Sequence, residues 1–162
     1  MFHLLQIVTV ILAALALVPA LAHALELPGK MRLAQDEYFA AQTIYYPGFT
    51  VAGIAEPLAI VATAGLLAHT PRGGLGFWLI ALALIGLIGM QAVYWLFTHP
   101  VNKVWLQSES LGAAGSGFFS LGSPDAEGEN DWRNLRDRWE YSHLMRACLS
   151  ATSFMALVVA MS

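Results

Sequence analysis

Two short spacings stand out in an otherwise apolar chain: His23-x-x-Glu26 and Glu140-x-x-His143. Residues three apart on a helix share a face, so each spacing presents an imidazole and a carboxylate side by side. Such a pair can move a proton to or from a reacting group, or it can supply nitrogen and oxygen ligands to a metal. Helical bundles that hold paired metals repeat Glu-x-x-His on two helices and add a carboxylate from each of two others. Here one pair is reversed and only Glu56 adds a carboxylate, so the match to that pattern is incomplete. A divalent metal, if held, takes its ligands from His23, Glu26, Glu140 and His143. The candidate proton-transfer residues are His23, Glu26, Glu56, Glu140 and His143.

Other polar groups join these five. Arg136 and Arg146 flank the second pair, Trp139 adjoins it, and Tyr45 and Asn102 end stretches that return to the same side of the chain's path. We expect Tyr45, Asn102, Trp139, Arg136 and Arg146 to wall and bind a substrate, with both arginines touching the cluster as counter-charge. A purely structural reading stands beside this one. Arg136, Glu140 and Arg146 would then form ion pairs that lock the helix ends, with the histidines as hydrogen-bonding partners.

What must position these residues is a set of membrane helices. The 162 residues are 57% hydrophobic and 12% charged, against about 25% charged in an ordinary soluble domain. Four stretches approach the roughly 20 apolar residues that cross a bilayer as a helix, at about 4–25, 49–68, 75–97 and 144–161. The expected fold is all-α, one integral membrane four-helix domain over 1–162. Chain alternation brings the end of span one, the start of span two, the end of span three and the start of span four to one side. The cluster therefore gathers at one end of the bundle, whereas the other end offers only His3, His69 and Arg72. Ionisable groups at membrane depth are costly and mark function or tight pairing.

Between spans one and two, Pro28-Gly29 is expected to interrupt the chain. A short interfacial amphipathic helix should follow, with Met31, Tyr38, Gln42 and Tyr45 on one face. The turn 69–74 makes spans two and three antiparallel neighbours, and the acidic, Gly- and Ser-rich stretch 106–130 reads as a solvated loop. Asn130-Asp131 is placed to cap the last helix. Ala22-His23-Ala24 has the small-x-small form of a signal-peptidase site, but the start lacks Lys and Arg and the apolar run exceeds 20 residues, which favours a retained span. Lys30, Arg32, Lys103, Arg133, Arg136 and Arg138 against Arg72 place the first and third loops in the cytoplasm, in a bacterial inner membrane. The net charge of −3 and the absence of a basic cluster exclude nucleic acid as a partner. Cys148 alone excludes an internal disulfide. The partners expected are the lipid bilayer and a small apolar or aromatic molecule.

The segments HALELPGKMRLAQDEYFAAQTIYYPGF, PVNKVW and WRNLRDRWEYSHLMR resemble the anthrone oxygenase-like family of small four-helix membrane proteins. Trp139-Glu140-x-x-His143-x-x-Arg146 is the most specific part, and the resemblance is read as running across the supposed cleavage site. It implies retention of His23, no added cofactor, and oxidation of an anthrone to an anthraquinone. Many bacterial members are known only as a domain of unknown function. The sequence supports two readings: a membrane-embedded oxidoreductase for a small apolar or aromatic molecule, and a non-catalytic binding or accessory protein. A small transporter ranks behind both, because no repeat supplies an alternating-access pair.

Overall fold

The computed structural model of the chain describes residues 1–45, 47–105 and 132–162. All regular structure among these residues is helical. The elements are α1 (Phe2–Lys30), α2 (Gln35–Gln42), a 3₁₀ turn (Thr43–Tyr45), α3 (Gly48–Ala52), α4 (Ala55–Ala68), α5 (Leu75–Val93), a π turn (Tyr94–Thr98), α6 (His99–Trp105) and α7 (Trp132–Met161). Among the described residues four stretches are long and apolar enough to cross a membrane: α1, α3–α4, α5–α6 and α7. The chain is thus an all-α integral membrane bundle. The loop expected at 106–130 and the Asn130-Asp131 cap lie outside the described residues.

The buried residues of α1 are Thr9, Ala13, Ala16, Pro19, Ala20, His23 and Lys30. Their spacing repeats every three to four residues, so one narrow stripe of mostly small side chains faces α4 and α7. Leu4, Ile7, Ile11, Leu15 and Val18 point outward. Exposing large apolar side chains and burying small or polar ones suits a lipid solvent, where close backbone approach drives helix packing. At Gly86 on α5 an added Cβ would collide with Ser153 Oγ and lie 3.1 Å from the Leu149 carbonyl. A side chain there would have to push Ser153 aside and crowd the Leu149 carbonyl, so glycine lets α5 and α7 meet closely. Gly73 closes the α4–α5 turn at a φ of +92°, a conformation that favours glycine.

Three prolines shape the end of the bundle that carries the polar groups. Pro28 does not stop α1; the helix runs on to Lys30, which corrects the expected interruption. The turn comes at 31–34, after which Glu37 accepts the Ala34 N–H at 3.0 Å and opens α2. Pro57 cannot donate to the Gly53 carbonyl, and the Glu56 N–H takes that carbonyl instead at 3.1 Å. Pro100 likewise cannot serve the Leu96 carbonyl within the π turn, and Arg138 of α7 donates to it at 2.8 Å. The spans therefore run past their apolar stretches at the polar end: α1 reaches 30, α6 reaches 105 and α7 begins at 132.

Candidate functional site

Continuation of α1 through Pro28 aligns His23, Glu26 and Lys30, at spacings of three and four. Lys30 is buried. Its ammonium lies 3.4 Å from Glu26 Oε2 and 3.2 Å from Glu140 Oε1, and 3.4 Å from His23 Nδ1. The faces of Trp139 and Tyr45 close over it, with ring centres 4.8 and 5.1 Å away. One cation thus ties α1 to α7 through two carboxylates and two aromatic rings.

The polar segment after α1 supplies two phenols to the same carboxylates. Tyr38 of α2 is fully buried and donates to Glu140 Oε1 at 2.8 Å. Tyr45 donates a short hydrogen bond to Glu26. Burial first, and the neighbouring Glu140 next, push the Tyr38 phenol well above its ordinary value. Burial and the bond to Glu26 do the same for Tyr45. Both phenols therefore remain donors throughout the physiological range. Glu140 Oε2 is buried and has no hydrogen-bond partner among the described residues.

One helical turn deeper, two imidazoles meet. The rings of His23 and His143 lie 4.4 Å apart, edge to face. Trp139 covers His143 at 3.9 Å, while Tyr45 and Phe49 pack on His23 at 4.5 and 4.8 Å. His143 Nδ1 is 2.9 Å from the Trp139 carbonyl. A carbonyl only accepts, so Nδ1 carries the hydrogen, and in the neutral ring Nε2 carries the lone pair. Ser142 donates to the same carbonyl at 2.7 Å, and Thr98 of the π turn donates to Ser142 at 2.8 Å. The Trp139 indole N–H donates to Asn102 at 2.7 Å, fixing the ring that covers the histidine.

Deeper still, Arg146 donates a short hydrogen bond to Glu56, and its guanidinium lies 5.1 Å from the Tyr94 ring centre. Both partners are buried. Removing one member of such a pair strands a buried charge and typically costs about 3–5 kcal/mol.

The expected residues separate accordingly. His23, Glu26, Tyr45, Trp139 and His143 are linked by direct contacts; Glu140 joins them through Lys30, Asn102 through the indole, and Glu56 pairs with Arg146. Arg136 pairs directly with Asp137, and its charge reaches the cluster only at the Tyr38 phenol among the described residues. It donates to Asp137 through two nitrogens, at 2.7 and 2.9 Å, and lies 5.2 Å from the Trp132 ring centre. An adjacent acid on its own helix outcompetes the site. The metal set His23, Glu26, Glu140 and His143 is not assembled either: among the described residues no three His, Cys, Asp or Glu side chains converge to hold an ion. The Lys30 ammonium occupies the space between the two carboxylates, and the Trp139 carbonyl takes His143 Nδ1. Lys30 is also no loop charge, which removes one of the bases used to orient the chain.

Lys30, Tyr38 and Phe49 were missing from the sequence-derived site. Lys30 follows His23 by seven residues and Glu26 by four, a signal hidden by the assumption that Pro28-Gly29 ends the helix. Tyr38 precedes Tyr45 by seven. Phe49 carries no comparable signal.

Residues 41–156 match the anthrone oxygenase family. The chain belongs to that family. No curated protein and no solved structure gives a match. Within this anthrone oxygenase family member the matched residues include Tyr45, Glu56, Asn102, Trp139, Glu140, His143 and Arg146. The match begins after α1 and most of α2, so His23, Glu26, Lys30 and Tyr38 lie ahead of it, and it does not run across the supposed cleavage site.

Proposed function

We propose that the protein is a membrane-embedded oxidoreductase that uses molecular oxygen on a small, flat, acidic aromatic molecule of the anthrone type. The observation that carries this reading is His143: its Nδ1 faces a backbone carbonyl, which leaves Nε2 as the lone pair of a neutral ring packed against Trp139 and His23. An anthrone CH₂ lies between two aromatic rings and opposite a carbonyl, so its proton is removable by a positioned imidazole. The electron pair left behind delocalises onto the carbonyl oxygen and reduces oxygen. Carbon–oxygen bond formation gives a hydroperoxide, and loss of water leaves the quinone. One oxygen molecule is consumed and one water released per anthrone, with no external reductant.

Oxygen uptake and quinone absorbance should be followed with 1,8-dihydroxyanthrone, using the full chain in nanodiscs and subtracting the uncatalysed rate. His143→Ala should lower the enzymatic rate by about 10²-fold or more, the ordinary worth of a general base. A second reading remains, in which the cluster only locks the helix ends. It is favoured by the pairing of Lys30 and Arg146 with three carboxylates. It wins if His143→Ala matches wild type in rate while losing thermal stability. We also propose, from the remaining basic residues, that the polar end faces the cytoplasm of a bacterial inner membrane.

A further inference from the structure

The geometry points to opposite protonation of the two facing imidazoles, with Lys30 as the positioning residue that sets His23 against His143. His143 faces a pure acceptor, the Trp139 carbonyl, through Nδ1 at 2.9 Å. His23 faces a pure donor, the Lys30 ammonium, through Nδ1 at 3.4 Å. An ammonium has three hydrogens and no lone pair, so the nitrogen it meets is bare and the remaining hydrogen sits on Nε2. Glu26 Oε2 competes for the opposite arrangement, but it lies 3.7 Å from His23 Nδ1 and already accepts from Tyr45 and Lys30. Lys30 Nζ also lies within 3.4 Å of both the Glu26 and Glu140 carboxylates, the contacts of a donor.

The pair then offers a ligand two different nitrogens on rings 4.4 Å apart: an acceptor, His143 Nε2, and a donor, His23 Nε2–H. This deepens the proposed reaction and rests on it for its ligand. The proton leaves the ring carbon for His143 Nε2, and the electron pair moves to the carbonyl oxygen. His23 Nε2–H is the donor available to hold that oxygen as charge develops. The ligand class is a ketone whose enol form is aromatic, with its acidic carbon and its oxygen presented to the two rings. Lys30 acts through His23 and touches no reacting atom.

The tautomers are read without substrate, from ¹⁵N-histidine NMR of the full chain in nanodiscs at neutral pH, with single His→Gln variants assigning the signals. Wild type should show hydrogen on Nδ1 of His143 and on Nε2 of His23. Lys30→Met combined with Glu140→Gln, which neutralises the fully buried carboxylate that faced the cation and leaves the more exposed Glu26, should move the His23 hydrogen to Nδ1, towards Glu26. Glu26→Gln keeps Lys30 and should leave His23 as in wild type, and it serves if the double variant does not fold. A wild-type spectrum with both imidazoles in the same tautomer overturns the inference. So does a His23 that keeps its hydrogen on Nε2 without Lys30, or one that switches in Glu26→Gln. Because no turnover is needed, these outcomes are separable from a failure of oxygen uptake.

Discussion

Tyr38 shows how a single side chain reports on the site. Its phenol is buried, hydrogen-bonded to Glu140 and raised above its ordinary value. A group whose folded value is raised contributes its full stability below the unfolded value, near pH 10, and loses it as the pH climbs towards the folded value. Thermal stability should therefore be insensitive to Tyr38 ionisation between about pH 6 and 9 and fall above pH 10. Each such phenol weakens the folding equilibrium by about tenfold per pH unit in that upper range. Tyr38→Phe should be less stable at pH 7, because Glu140 loses a donor, yet show a shallower alkaline fall. Melting curves of both proteins between pH 7 and 11 decide this, and equal alkaline slopes would refute the assignment. At this scale, spacing revealed His23, Glu26, Glu140 and His143 because three-residue intervals make helix neighbours. It did not reveal Arg136's withdrawal to Asp137, since spacing alone does not rank two acids in reach of one base.

Elements were legible where composition dominates and illegible where a proline's cost is met by a neighbour. The four apolar runs announce four helices, because no other open-ended structure satisfies its backbone in lipid. Pro28 reads as a stop, yet α1 continues to Lys30, and at Pro100 the Leu96 carbonyl that the proline cannot serve is taken by Arg138. The contact that joins α5 to α7 is testable on its own. Gly86→Ala places a methyl against Ser153 Oγ and the Leu149 carbonyl, and overpacking of this kind typically costs about 1–3 kcal/mol. Gly65 has open space around its position and is the control. Gly86→Ala should lower the melting temperature clearly and Gly65→Ala should not; equal behaviour would show that α5 and α7 do not approach so closely.

Over the whole molecule, α1 decides what kind of site exists. It supplies His23 and the lysine that bridges Glu26 to Glu140, so a chain cut after Ala24 would lack one imidazole and the helix that aligns Lys30. Intact mass of the membrane-purified protein should include residues 1–24, and a mass lacking them would dismantle the paired-imidazole site. The outward faces of all four spans are apolar, and the histidines lie inward of the Lys30 layer, among Trp139, Tyr45 and Phe49. A flat aromatic ketone, the substrate class proposed above, would dissolve in the same hydrocarbon that bathes these helices, with the bilayer as its reservoir. Apparent KM should then follow the mole fraction of substrate in lipid and not its bulk concentration. Adding protein-free vesicles at constant total substrate should slow turnover in proportion to the lipid added, as surface dilution. A rate indifferent to extra lipid would mean that the substrate arrives through water.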